Sequence, residues 1–402
     1  MKMSKALVLS ICVFLAMAGS SVFGQTPKSP AAPIKIGGSL PLTGIASEQA
    51  KWIKAGYEYW AEDINKRGGL LGRPVRLIIY DDESNADKAV TYYERAITVD
   101  KVDLVFGGYP GTANVALMPL VEKYKMCFVG QGGHMKSFEQ GFTYTFGSPP
   151  LMGEWAELSV GGLFDDLIPK AQWPKSAAIL TMNNAVGLAH VGNIVKTLEK
   201  HEVKVVVNET YNIPLSDAGP LVSKAKGRGA EVLIVPGFFD DTVMIMRQAK
   251  AQRYNPKIIW NILASRIPAW FKELGPDGNY VLANTFMSPD LPYPGNEKIR
   301  EGAKVKLGLP NPPDFFGQAY CWMYTLELAV RGTGSLDNTK LRDYLRSRAF
   351  DLPYGKGIRF DARGLPKPVN FTVQARDGKN ELIWPKDVAT AKLVFPRPGW
   401  SK

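Results

Sequence analysis

Two glycine-rich stretches carry the clearest chemical signal in this chain. Gly107-Gly108-Tyr109-Pro110-Gly111-Thr112 follows an apolar run and opens a helical pattern. Free backbone N–H groups at a helix start suit an anion, and the helix dipole adds to the attraction. Thr112 places a hydroxyl at or near that start. An ordinary capped strand-to-helix turn would use the same residues, so the stretch alone leaves both readings open. Gly130-Gln131-Gly132-Gly133-His134 is a second loop of this kind. Its glycines let backbone approach a ligand closely. His134 either donates to a carboxylate or sits as a loop histidine in solvent. Asp81-Asp82-Glu83 could hold a metal or work as an acid–base pair, though such a run is more often a solvated turn. The signatures of catalysis are missing: no Walker loop, no GxGxxG after the first strand, no HExxH, no zinc-spaced cysteine pair and no GxSxG. The three histidines, His134, His190 and His201, are scattered. No enzyme, no cofactor and no metal are expected, although a triad dispersed in sequence escapes such a search.

The loops need strands and helices to position them. Residues 34–40, 75–80, 103–106 and 126–129 read as strands. Between them, 51–66 carries Ile53, Tyr57, Trp60 and Ile64 at helical spacing and stops at Gly68-Gly69; 86–99 and a segment from about Ala113 also read as helices. The pattern restarts after Pro149-Pro150, with strands at 177–181, 204–208, 231–236 and 257–260 and helices near 187–200, 218–226 and 241–252. Strands alternating with helices at this spacing indicate parallel βαβ units. The predicted fold is α/β, with two doubly wound parallel-sheet lobes. Such sheets bind ligands outside the carboxyl ends of their strands. That points to the loops 41–47, 107–114, 130–134, 182–186, 237–240 and 261–265.

Composition bounds the rest. Lys2 and Lys5, a run of about thirteen apolar residues at 6–18, and small residues to Gly24 follow the plan of a signal peptide. The run falls short of the roughly 20 residues that span a bilayer. Residues 1–24 are therefore expected to be removed and 25–33 to form a flexible, Pro-rich leader. Export of this kind implies a periplasmic protein. With Cys12 gone, only Cys127 and Cys321 remain, and two separate buried thiols are the favoured reading. The formal charge is +11, but Lys and Arg are interleaved with acids and no basic run or aromatic nucleic-acid motif occurs. No nucleic-acid partner is expected.

The chain resembles the leucine/isoleucine/valine-binding type of periplasmic solute-binding protein, which serves ATP-binding-cassette importers. The residues that carry the resemblance begin with Ile34-Lys35-Ile36-Gly37, Pro41-Leu42-Thr43-Gly44 and Asp63-Ile64-Asn65. They continue with Gly68-Gly69-Leu70-Leu71-Gly72-Arg73, Asp81-Asp82, the loop 107–114 and Gly187. Arg247-Gln248-Ala249-Lys250 and Gly317-Gln318-Ala319-Tyr320 complete them. The resemblance implies a type I fold with two lobes on a three-strand hinge. The crossings would fall near 148–152, 284–287 and 354–358. Lobe 1 would comprise 34–150 plus 286–355, and lobe 2 would comprise 151–285 plus 356–395.

It further implies a monomer that closes on a small organic acid or amino acid and is read by a membrane permease. The ligand contacts so implied are Gln49, Tyr109, Pro110, Gly111, Thr112, Gly132, Gly133, His134, Val186, Phe238, Phe239 and Ile262. Gly111-Thr112 and 132–134 match the family's carboxylate loops, with Gly132 for a common Ala and His134 for a common Thr. Val186 replaces the family's Tyr, and Ile262 its acidic residue, where the ligand ammonium is held. A buried ammonium without an acceptor is costly. The expected ligand is therefore a carboxylate with an apolar or aromatic body. A branched-chain or neutral amino acid is the alternative, and a ligand-sensing module or secreted hydrolase the alternative of another class.

Overall fold

The computed structural model describes residues 32–131, 135–148, 156–309, 311–367 and 369–401. The first lobe opens with β1 (Ile34–Leu40), α1 (Ser47–Lys66), β2 (Val75–Asp81), α2 (Ala86–Thr98) and β3 (Leu104–Val105). α3 (Gly111–Lys123), β4 (Phe128–Gln131) and β5 (Thr145–Ser148) follow. The expected helical face of α1 is the buried one: Ile53, Tyr57, Trp60 and Ile64 are fully covered. Gly68 and Gly69 end it with φ of 92° and 81°, open to glycine and strained for other residues. Parallel strands run in the order β2-β1-β3, and β4 pairs with β5 in a separate parallel pair. β3 is two residues long, shorter than the expected 103–106.

Two features hold β3 and β4 side by side. A Cβ on Gly107 would lie 2.6 Å from Gly130 Cα and 2.7 Å from Val129 O. That is main chain against main chain, which only glycine allows. At the other end, Asn338 Oδ1 accepts from Cys127 N (2.9 Å) and its Nδ2 donates to Asp103 O (3.1 Å).

The second lobe comprises β6 (Ser176–Met182), α4 (Ala185–Lys200), β7 (Lys204–Tyr211), α5 (Gly219–Gly227), β8 (Val232–Val235) and α6 (Phe239–Ala251). It continues with β9 (Ile258–Asn261), α7 (Ala269–Leu274) and β10 (Leu282–Thr285). The chain then returns to the first lobe as α8 (Asn296–Leu307), α9 (Asp314–Thr333), α10 (Asn338–Ser347), β11 (Ala349–Leu352) and β12 (Gly355–Arg359). β13 (Phe371–Arg376) and β14 (Lys379–Trp384) add antiparallel to the second sheet, whose order is β14-β13-β10-β9-β8-β6-β7. Two doubly wound, mostly parallel sheets are thus present. In each, the order reverses beside the first strand, between β1 and β3 and between β6 and β8. Those are the switch points where such sheets leave a crevice.

α9 is the spine of the first lobe and packs along α1. A Cβ on Gly56 would meet Phe316 O at 2.4 Å. Further along, Trp60 Nε1 donates to Glu327 Oε2 (3.0 Å), and Arg67 donates to both oxygens of the same carboxylate. Sequence periodicity did not delimit α8, α9 or α10, nor the π-helical turns at Ala156–Val160 and Leu163–Leu167.

The crossing expected near 354–358 lies instead within the β11–β12 hairpin. Phe360 stacks edge-on against Phe146 at 5.2 Å, Gly147 N donates to Gly364 O, and Leu365 is buried beside Met118 and Phe138. Apolar residues beyond the hairpin thus keep the chain on the first lobe as far as Leu365. The crossing expected near 148–152 falls largely outside the described residues. Cys127 and Cys321 are both free and buried, and burial raises each thiol's pKa well above its ordinary value. No helix among the described residues is long and apolar enough to cross a membrane.

Candidate functional site

A cavity of about 260 Å3 opens between the two switch points. Ile45, Ala46, Ser84, Pro110 and Thr112 of the first lobe face Asn184 and Phe238 of the second across it. Four of these seven immediately precede a helix: Ala46 precedes α1, Pro110 α3, Asn184 α4 and Phe238 α6. The first N–H groups of a helix have no partner within it. Only Asn184 supplies a side-chain cap, accepting from Gly187 N at 2.9 Å; Ala46, Pro110 and Phe238 make none. Four positive helix ends therefore converge on one space, and none of the described residues lining it is acidic. Helix N-termini favour negative charge.

The acidic turn of the sequence supports this wall without entering it. Asp81 accepts from Thr43 N (3.2 Å) and Thr43 Oγ1 (2.9 Å). Ser84 Oγ donates to Thr43 O and accepts from Ala46 N, fixing the start of α1. Asp82 lies beneath, accepting from Ser39 Oγ (2.8 Å) and Ser84 N (3.2 Å). Burial pushes its carboxyl up to about 6, against those two hydrogen bonds and with help from the neighbouring Asp81.

A raised carboxyl pKa costs stability as pH climbs towards it. Stability should therefore fall between about pH 4 and pH 6, where the unfolded chain gives up the proton that folded Asp82 keeps. Asp82→Asn keeps an acceptor for Ser84 and a partner for Ser39. It is expected to stabilise the protein by about 1–2 kcal/mol at pH 8 and not at all at pH 4. Urea unfolding at both values tests this, and an equal gain at each would remove ionisation as the cause.

The expected contact residues divide. Pro110, Thr112 and Phe238 line the cavity, with Thr112 in the first turn of α3. Gly111 is the first residue of that helix. Tyr109, joined to Pro110 by a cis peptide, is buried with its ring edge-on to Phe315 at 5.5 Å. Phe239 and Ile262 are buried in the main core with Trp260 and Leu263, and they do not border the cavity. Gln49 is buried in α1, its Oε1 without a partner among the described residues. Val186 lies in the first turn of α4. Gly132, Gly133 and His134 lie outside the described residues.

Asn261 and Ser265, the polar neighbours of Ile262, are both buried and bond to each other: Ser265 N donates to Asn261 Oδ1 at 3.0 Å. Ile45, Ala46, Ser84 and Asn184 were not singled out from sequence. Asn184 had a legible signal, an asparagine just ahead of a helical run, the usual N-cap choice.

The family model of periplasmic binding proteins matches residues 33–379. The chain belongs to the periplasmic binding protein family. Its members are binding components of transport rather than enzymes, and the family is one of the periplasm. Among curated relatives, a leucine-, isoleucine-, valine-, threonine- and alanine-binding protein of Pseudomonas aeruginosa is 25% identical over 85% of this chain and 89% of its own. Among solved structures, the branched-chain amino acid transporter substrate-binding protein LivJ of Streptococcus pneumoniae, in complex with isoleucine, superposes with a TM-score of 0.75. It has 17% identity and covers 90% of this chain and 100% of its own. An ABC-transporter solute-binding protein of R. palustris in complex with benzoate gives 0.76, with 16% identity, covering 92% and 98%. These likenesses establish the periplasmic binding protein fold for this chain.

Proposed function

We propose that this periplasmic binding protein is the substrate-binding component of an ATP-binding-cassette importer, exported by removal of residues 1–24. Its cleft takes a small organic carboxylate with an apolar or aromatic body. The observation that carries this reading is the convergence of four helix N-termini on a cavity whose described lining holds no acid. A carboxylate is stabilised there by N–H groups and dipoles, and an ammonium group would meet the same dipoles end-on and lose water without a counter-charge. Ile45, Pro110 and Phe238 supply apolar surface for the ligand body. A relative of the same fold holds benzoate. The second reading, a branched-chain or neutral amino acid, has the isoleucine complex and the name of the Pseudomonas relative in its favour. In either case, closure of the lobes would present the loaded form to a permease.

Calorimetry with leucine, phenylalanine, their deaminated analogues and benzoate separates the two. The expected result is that the analogues bind at least about tenfold tighter than the amino acids, a difference of about 1.4 kcal/mol. Thr112→Val should weaken the preferred carboxylate by about tenfold, the loss of one charge-assisted hydrogen bond. Micromolar binding of the amino acids with much weaker binding of the analogues would overturn the carboxylate reading.

A further inference from the structure

Among the described lining of the cleft, the second lobe brings one polar side chain, Asn184; its neighbour there, Phe238, is apolar. The turn after β6 fixes where Asn184 stands. Asn183 N donates to Tyr211 O at 2.7 Å, and Asn184 N donates to Met182 O at 2.9 Å. A Cβ on Gly187 would lie 2.3 Å from that same Met182 oxygen, so α4 starts hard against the end of β6. Asn184 has extended backbone, with φ −148° and ψ 171°, and its side chain turns back over the helix to accept from Gly187 N at 2.9 Å.

That cap decides which end of the amide is left over. A backbone N–H only donates, so the atom it meets is the carbonyl oxygen, and the NH2 group is the free end. Nδ2 has no partner among the described residues. Nor is it sealed in: Asn184 is half-buried, and Nδ2 stays reachable in a residue that borders the cleft. Across the cavity, Ser84 Oγ is already engaged with Thr43 O and Ala46 N. Thr112 and Asn184 therefore carry the side-chain polar groups that the described lining leaves for a ligand, one from each lobe.

The inference rests on the carboxylate reading above, in which the first lobe holds the acid group at Thr112 and the start of α3. The part of the ligand that crosses to the second lobe then meets the Phe238 ring and a fixed N–H donor. Closure takes that donor out of water. Left unpaired it opposes closure, and paired it favours closure. A purely apolar body leaves it unpaired, whereas an oxygen on that body satisfies it.

We propose that Asn184 is a specificity-determining residue of the cleft. The ligand is a carboxylate whose apolar or aromatic body carries a second oxygen, a hydroxyl or keto group, that accepts from Asn184 Nδ2.

Calorimetry on the full chain with benzoate, meta-hydroxybenzoate and para-hydroxybenzoate tests this. The better hydroxybenzoate is expected to bind at least about tenfold tighter than benzoate, because the acid without the hydroxyl strands a polar group. Asn184→Ser keeps an oxygen for the helix cap and withdraws the NH2 donors. In that variant the hydroxybenzoate should weaken to the level of benzoate, while benzoate itself changes by less than about threefold. A merely structural role for Asn184 would weaken all three acids together, and that result would overturn the proposal. So would a preference for hydroxybenzoate that survives Asn184→Ser. Benzoate bound as tightly as both hydroxybenzoates would overturn it too and leave the carboxylate reading standing. Failure of all three acids to bind would also overturn it, and leucine bound in their place would take the carboxylate reading with it.

Discussion

Replacing Asp314 with alanine is expected to destabilise the protein by about 3–5 kcal/mol, because it leaves the Arg266 guanidinium buried without a counter-charge. Only 5% of the Arg266 side chain and 14% of that of Asp314 reach solvent. Thr285 Oγ1, at the end of β10, also donates to Asp314 Oδ2 at 2.7 Å and would lose that acceptor. Burial raises the Asp314 pKa and the Arg266 charge opposes that rise. The pair ties the second lobe to the first residue of α9, at the strand that connects them. Removing both charges is a different matter. Arg266→Met with Asp314→Leu should recover most of the loss, since a buried pair replaced by apolar residues of similar volume is often close to neutral. Urea unfolding of the single and double variants measures both effects. A single-variant loss under about 1 kcal/mol would mean that water reaches the guanidinium.

The second large effect belongs to Gly107→Ala. The new methyl carbon has main chain on two sides, Gly130 Cα at 2.6 Å and Val129 O at 2.7 Å, and neither can rotate away. β3 and β4 must separate, at a cost of about 2–3 kcal/mol typical of overpacked sites. The same movement displaces Tyr109 to Thr112, so ligand affinity should fall together with stability. Denaturant titration and calorimetry on one preparation check this. Normal stability and affinity would show that the sheet yields more easily than its packing indicates.

Much of this was legible before any coordinates. The strand–helix alternation, the burial of Ile53, Tyr57, Trp60 and Ile64, and the loops facing the crevice follow from local periodicity and turn chemistry. Thr112 and Phe238 flank predicted strand ends, and both line the cavity. Ile262 and Phe239 were placed on the rim by matching positions along the chain. Both belong to the main core, as Phe238 does, and neither lines the cavity, because register after a strand depends on packing that no local pattern encodes. Ile45 and Ala46 lie in the loop 41–47 expected to face the ligand, but an alanine and an isoleucine before a helix have no chemical mark of their own. Their role comes from where Ser84 pins the end of α1. The continuation of the first lobe past 358 was hidden for a similar reason. The contact of Phe360 with Phe146, more than two hundred residues apart in sequence, reveals it together with those of Gly364 and Leu365.

The packing of α1 along α9 bears on how the protein is made. Trp60 and Arg67 find their partner carboxylate at Glu327, and Gly56 its close neighbour at Phe316. During synthesis, the leading segment must therefore wait through β6 to β10 of the second lobe before its core can close. Contacts so remote are slow to form, because a long loop must first be ordered. A nascent chain released before residue 327 has a complete set of elements for the second lobe through β10, yet it lacks the spine of the first. Such a chain does not yet offer Trp60 and Arg67, at its first long helix, the Glu327 carboxylate that they share.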